Sequence, residues 1–464
     1  MKLLIRPGPS GDVGGYHHQL MTDNGAPQQA SDSRKHRSIG LAGATAIGIG
    51  GMVGGGIFAV LGVAATDAGG ATPVAFMVGG IISALTAVSY SKLSVAFPSA
   101  GGTVAFIDRI FGIDELTGSL NVVLWAGYMA TLALYASAFG HYTATLFPGG
   151  TNPSTVLLRV LILVGVLVPW AVNLTNAGLV AKTEGVLVAI KLTVLAVVIA
   201  AGVPTVSAAR LAPGSWPSPI TVIAAGMLIF VAYEGFELIA NASVDVRDPR
   251  HTLPRAFALA VGLVIVLYVL IAAVVVGSLS PKEIADSADF ALAQAASASL
   301  GSVGFTLVAV AAMLATFSAI NATLYGAARL SYTIATEGEL PEEFDRLRWN
   351  EPIGLHVTAG VGLVIAITLP LTSISGLASA IFLIVFTVVN AAAFRAGRQA
   401  GVRRSIAAAG AVGCAGSLAM LLIRSATHDP VALISLTALL AAALAAEHLI
   451  LKRRPPRRAT SIDH

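Results

Sequence analysis

The sequence predicts an all-α membrane protein of about twelve transmembrane helices, and three observations carry that expectation. Hydrophobic residues make up 56% of the 464-residue chain and charged residues only 11%, with a mean hydropathy of +0.81, whereas an ordinary soluble domain has about 25% charged residues. The apolar residues come in continuous runs, most of them near the length of about 20 residues that a helix needs to cross hydrocarbon. The basic side chains, finally, gather in alternate loops. A β-barrel is disfavoured because its strands alternate over about 10 residues instead of running apolar throughout.

In chain order the runs are Leu41 to Thr66, Thr72 to Phe97, Leu116 to Phe147, Val156 to Leu174, Thr183 to Val203 and Thr221 to Ala242. They continue with Phe257 to Gly277, Val303 to Ile334, Val357 to Leu371, Leu377 to Phe394, Ile406 to Ile423 and Val431 to Leu451. The third and eighth exceed a simple span and are expected to tilt or project into water. Residues 1–38 are polar and read as a disordered cytoplasmic tail, and residues 453–464 as a basic one. Leu3 to Ile5 is too short for the apolar core of a signal peptide. With the amino terminus inside, Arg34, Lys35 and Arg37, then Arg109, Lys182, Arg247, Arg250, Arg255, Arg346, Arg348, Arg395, Arg398, Arg403 and Arg404 all fall in the cytoplasm. Outer loops hold chiefly Arg210 and Lys282, so the positive-inside rule predicts a multi-pass cell-membrane protein with both termini cytoplasmic. The net charge of +4 then reflects topology and contact with anionic lipid, and no nucleic-acid partner is expected.

Several functions are disfavoured at this level. Loops are short, leaving no room for a soluble catalytic domain, and GxxxxGK followed by Ser or Thr is absent, so the chain is not itself an ATP-hydrolysing subunit. GxSxG and HExxH are missing too. Cys414 is the sole cysteine and cannot form an intrachain disulfide; it reads as a packing residue. His17 and His18 have no companion ligands nearby, and neither a metal nor a cofactor is expected.

Two runs look unsuited to simple spanning. The first holds Ile47-Gly-Ile-Gly-Gly-Met-Val-Gly-Gly-Gly-Ile57. Each glycine costs about 1 kcal/mol relative to alanine inside a helix, so the backbone is expected to unwind there; close helix packing of the GxxxG kind is the alternative. The sixth run holds Tyr233-Glu-Gly-Phe-Glu237, and carboxylates at that depth cost several kcal/mol unless they face a cavity or a partner. These two runs occupy matching positions if residues 39–205 and 206–400 form two five-helix halves, followed by helices 11 and 12 over 401–452. Such an inverted repeat holds substrate where both broken helices meet. Three functions remain open on the residues alone: a transporter with alternating access, an intramembrane enzyme using Glu234 and Glu237 as acid and base, and a transport-dead sensor.

The motifs narrow this. Gly54-Gly-Gly-Ile-Phe58, Phe97-Pro-Ser-Ala-Gly-Gly-Thr103 with Arg109-Ile-Phe-Gly112, and Phe236-Glu237 through Asp248-Pro249-Arg250 and Leu253-Pro254-Arg255 occur in that order. Asn321-Ala-Thr-Leu-Tyr-Gly-Ala-Ala-Arg329 and Glu337-Gly-Glu-Leu-Pro341 follow. Together they resemble the amino acid-polyamine-organocation (APC) superfamily, over roughly residues 39 to 450.

The resemblance implies the leucine-transporter fold with helices 1 and 6 broken, and a permease for amino acids or related amines. If helix one unwinds at Gly54 to Gly56, the amides of Gly55 and Gly56 open its second half and would hold the substrate carboxylate, and the resemblance places the ammonium on the carbonyls of Met52, Val231 and Glu234. Phe230 and Tyr233 are the candidate lids, because Val231 stands where many members carry an aromatic. Gly55 replaces the family's serine and loses a hydroxyl donor. Trp125 and Tyr128 lie on a helix that lines the site in this fold. Lys191, deep in the fifth run with no acid within four residues, is implied to couple transport to protons by reaching the Gly50 carbonyl and a hydroxyl of Ser318 or Thr316. Protons are favoured over sodium; monomer and homodimer both stay open.

Overall fold

The computed structural model describes residues 38–453 apart from 100, 113, 114, 176, 337–339, 341–343, 345, 346, 349 and 350. The expected tails, the histidine pair and most of the Glu337–Pro341 motif therefore lie outside the described residues. The main helices are α1 (Leu41–Met52), α2 (Gly56–Ala68), α3 (Thr72–Ala96), α4 (Thr103–Phe111), α5 (Glu115–Ala144), α6 (Thr155–Thr175) and α7 (Ala177–Gly202). They continue as α8 (Pro219–Leu228), α9 (Pro249–Ser278), α10 (Ala291–Thr336), α11 (Ile353–Thr368), α12 (Leu371–Ala396), α13 (Arg404–His428) and α14 (Pro430–Arg453). A two-residue hairpin pairs β1 (Leu347–Arg348) with β2 (Glu351–Pro352).

The bundle is all-α and multi-pass, but it corrects the expected twelve spans in a five-plus-five inverted repeat. Among the described residues, eight helices are long and apolar enough to cross a membrane, or nine if the bent pair Pro219–Leu228 and Phe230–Asn241 counts as one span. Hydropathy registers apolar residues and is blind to whether the helix carrying them is continuous. The first run is divided between α1 and α2, and the ninth and twelfth fold as the shorter apolar helices Ile353–Thr368 and Pro430–Ala445.

The apolar middle of helix α5 is wholly buried, as a stretch without a polar face must be. It packs against α10, α12, α11 and α6, while α9 packs along α3 and against α1. Helices α3 and α9 run antiparallel: Ser99 at the end of α3 donates its amide to Ser243 Oγ just before α9 (3.2 Å), and Gly80 lies against Ile265 farther along. Buried polar side chains tie the bundle. Asn390 of α12 accepts from Ser89 (2.7 Å) and donates to Thr86 (2.9 Å), both on α3. Asn173 of α6 donates to Asn321 Oδ1 of α10 at 2.7 Å, and Arg424 of α13 pairs with Asp67 of α2.

Candidate functional site

Two interruptions of helix build the site. Helix α1 ends at Met52 and α2 begins at Gly56, with a turn over residues 53–55. Helix α8 ends at Leu228 and passes into a 3-10 turn, Phe230–Tyr233, with a bend of 52° across the break. Glu234 is then extended, and Gly235 takes φ +116°, a conformation in which a side chain would be strained. The acids therefore stand on unwound backbone instead of one helical face.

Unwound backbone inside a membrane needs internal partners, since no water is there to supply them. Helix α12 provides two. The Leu228 carbonyl accepts from Ser375 (2.6 Å) and Ser379 (2.8 Å), and Ser379 Oγ in turn accepts from the Val231 amide (3.0 Å). Helix α9 provides a third: the Tyr268 hydroxyl lies 2.6 Å from the Met52 carbonyl and 3.1 Å from the Ala232 carbonyl, so one side chain bridges both interruptions.

The two broken segments touch through backbone. A Cβ on Gly51 would fall 2.7 Å from the Gly235 carbonyl oxygen, and one on Gly56 would fall 2.9 Å from the Ala232 Cα. Beside this contact lies a cavity of about 150 Å³, walled by Gly50, Gly51, Glu234 and Gly235, by Tyr128 and Tyr135 of α5, and by Ala319 and Thr323 of α10. Glu234 is 4% exposed, and Tyr135 donates its hydroxyl to Glu234 Oε2 at 3.4 Å. The cavity is thus mainly apolar, with one carboxyl, two phenols, the Thr323 hydroxyl and glycine backbone as its polar features.

The expected site residues divide into those on the cavity and those behind it. Glu234 and Gly50 line it. Gly54, Gly55 and Gly56 are buried at the break, with the Tyr135 ring over Gly55. The Met52 carbonyl is engaged by Tyr268, and the Val231 carbonyl accepts the Glu234 amide at 3.1 Å. Phe230 packs edge-on to Phe386, and Tyr233 donates to the Phe76 carbonyl at 2.7 Å; both are buried supports outside the cavity wall. Glu237 is also outside it, its Oε2 accepting the Gly235 amide at 2.8 Å. Lys191 is 2% exposed on α7, a helix that packs against α1 and α10; Ser318 is buried on α10. Trp125 donates to Thr358 of α11 at 2.9 Å. Sequence reading missed Tyr135, Thr323 and Tyr268. Tyr135 was within reach, because it follows Tyr128 by seven residues and so shares its face of α5.

The sequence profile of the amino acid permease family matches residues 39–444. The chain belongs to that family. The inner membrane transport protein YbaT of Escherichia coli is 34% identical to this permease over 390 residues, 84% of this chain and 89% of that one. An uncharacterized protein of Methanocaldococcus jannaschii is 33% identical over 357 residues, 76% and 82% of the two chains. The large neutral amino acids transporter small subunit 2 of Mus musculus is 29% identical over 324 residues, 66% and 59%. In fold, the permease is similar to a crystal structure of an Eremococcus coleocola manganese transporter, with a TM-score of 0.58 and 13% identity over 93% of this chain and 96% of that one. Membership makes the protein a multi-pass membrane permease for amino-acid-like substrates.

Proposed function

We propose that this permease carries an amino acid or related amine across the cell membrane by alternating access, coupled to protons in preference to sodium, as the resemblance to the APC superfamily implies. One observation carries the reading: two interrupted helices meet at a cavity, and a buried carboxyl, Glu234, opens onto it. A substrate ammonium entering there meets Glu234 and the glycine backbone of residues 50, 51 and 235. The substrate carboxylate is assigned to the amides of Gly54, Gly55 and Gly56 at the start of α2, where donors and the positive end of the helix dipole point the same way. The Tyr135 ring lies over Gly55, so it must swing aside for the carboxylate to reach those amides. Tyr135 is thereby the lid in this reading, in place of Phe230 or Tyr233, which are held by Phe386 and Phe76.

An acid–base enzyme is the weaker reading, because Glu237 is bound to the Gly235 amide and takes no part in the cavity wall. Uptake of labelled amino acids and polyamines into proteoliposomes with an imposed pH gradient tests the proposal. Accumulation that collapses on adding a protonophore supports it. Binding without accumulation would instead make the protein a sensor, and accumulation driven by sodium alone would remove the proton.

A further inference from the structure

A second cavity, of about 220 Å³, lies between α3 and α9 and shares no lining residue with the first. Its α3 wall is Ala84, Ala87, Val88 and Ser91; its α9 wall includes Pro254, Ala258 and Gly262, with Phe257 buried behind them. Val88, Ala258 and Gly262 are exposed, and a Cβ on Gly262 would meet nothing within 4 Å. The neighbouring Ile81, Leu259, Leu263 and Val266 are exposed as well. The groove therefore opens onto the surface that faces hydrocarbon, and its small residues keep it from being filled by the protein's own side chains.

Basic side chains stand at one end of it. On α3, Lys92 follows Val88 by four residues, one turn farther toward the end of the helix. On α9, Arg255 precedes Ala258 by three and Gly262 by seven, which puts it on the same row one turn nearer the start. The helices are antiparallel, so both residues lie toward the same end of the groove, with exposed Arg250 beyond them. His251 is engaged with Asp248 at 2.8 Å, while Lys92, Arg250 and Arg255 form no ion pair with any described residue. An apolar slot with unpaired cations at its mouth is complementary to an acyl chain ending in an anionic phosphate, the arrangement by which basic pockets between helices recognise anionic lipid.

We infer that the α3–α9 groove binds one anionic phospholipid, an acyl chain in the slot walled by Ala84, Ala258 and Gly262 and the phosphate at Lys92 and Arg255. The site is separate from the substrate cavity, and it stands whether or not Glu234 receives an amine. It does touch the helix that carries Tyr268, so the lipid would brace the strut that bridges both interruptions.

Native mass spectrometry of the purified permease, titrated with phosphatidylglycerol or phosphatidylethanolamine of identical chains, reads the site directly. Wild type should retain one phosphatidylglycerol in preference to phosphatidylethanolamine. Lys92→Gln with Arg255→Gln should weaken that retention about 25-fold, since each basic side chain near an anionic lipid contributes about fivefold. Gly262→Leu fills the slot without touching the charges and should lose the lipid too; leucine favours helix over glycine, so folding is not at risk. Soluble glycerol phosphate should not compete, because it has no chain to bury. Undiminished retention in either variant overturns the site. So does competition by glycerol phosphate, which would reduce it to a surface phosphate contact.

Discussion

Glu234 is the residue on which the cavity's chemistry turns, and it was legible because a carboxyl in the middle of an apolar run has few reasons to be there. Its structural context was not. The partner, Tyr135, is an aromatic in a helix full of apolar residues, and only the fold brings it within 3.4 Å of the acid. Glu234→Gln keeps the size of the side chain and removes its capacity to carry a negative charge. Proteoliposome uptake by this variant should fall most for cationic amino acids and polyamines; an equal fall for neutral and cationic substrates would count against the selectivity role. Tyr268 was wholly silent in sequence, yet its hydroxyl serves the carbonyls of Met52 and Ala232. Tyr268→Phe leaves the ring in place and deprives buried carbonyls of their donor, a loss of about 1–3 kcal/mol. Its Tm should fall and its substrate affinity should weaken; wild-type values for both would show the bridge to be incidental.

Among the elements, the interruptions separate what pattern could reveal from what it could not. The first was readable because six glycines crowd between Gly48 and Gly56, and the helix does stop at Met52. The second has one glycine, and its unwinding rests on Ser375 and Ser379 of a helix well over a hundred residues away in sequence. No local signal encodes that. Gly51 faces Gly235 so closely that Gly51→Ala must push two backbones apart, an overpacking worth about 1–3 kcal/mol. Gly360, in α11, has nothing within 4 Å of the corresponding position, and Gly360→Ala should leave Tm unchanged or raise it. Thermal unfolding of the two variants side by side tests the contact: if both shift alike, Gly51 has no special role in joining the segments.

At the scale of the whole molecule, composition was enough for a multi-pass helical bundle, while the number of spans came out too high because apolar runs do not report breaks. The coupling ion also belongs to this scale, since coupling means that one group's state biases which side of the bundle is open. Lys191 is the group that the resemblance to the APC superfamily implies for it. Its helix, α7, lies between α1, which carries Gly50, and α10, which carries Ser318. Lys191 is buried, so a proton gained or lost there would act on the packing of α7 against α1 and α10. Movement of α1 would be felt at once by the cavity, because Gly50 and Gly51 are part of its wall. Lys191→Ala is therefore expected to leave substrate exchange between the two sides of a proteoliposome membrane largely intact while abolishing accumulation against a gradient in response to pH. Exchange and accumulation measured on the same preparation make the distinction. Equal loss of both would make Lys191 a structural residue, and undiminished pH-driven accumulation would assign the proton to another group.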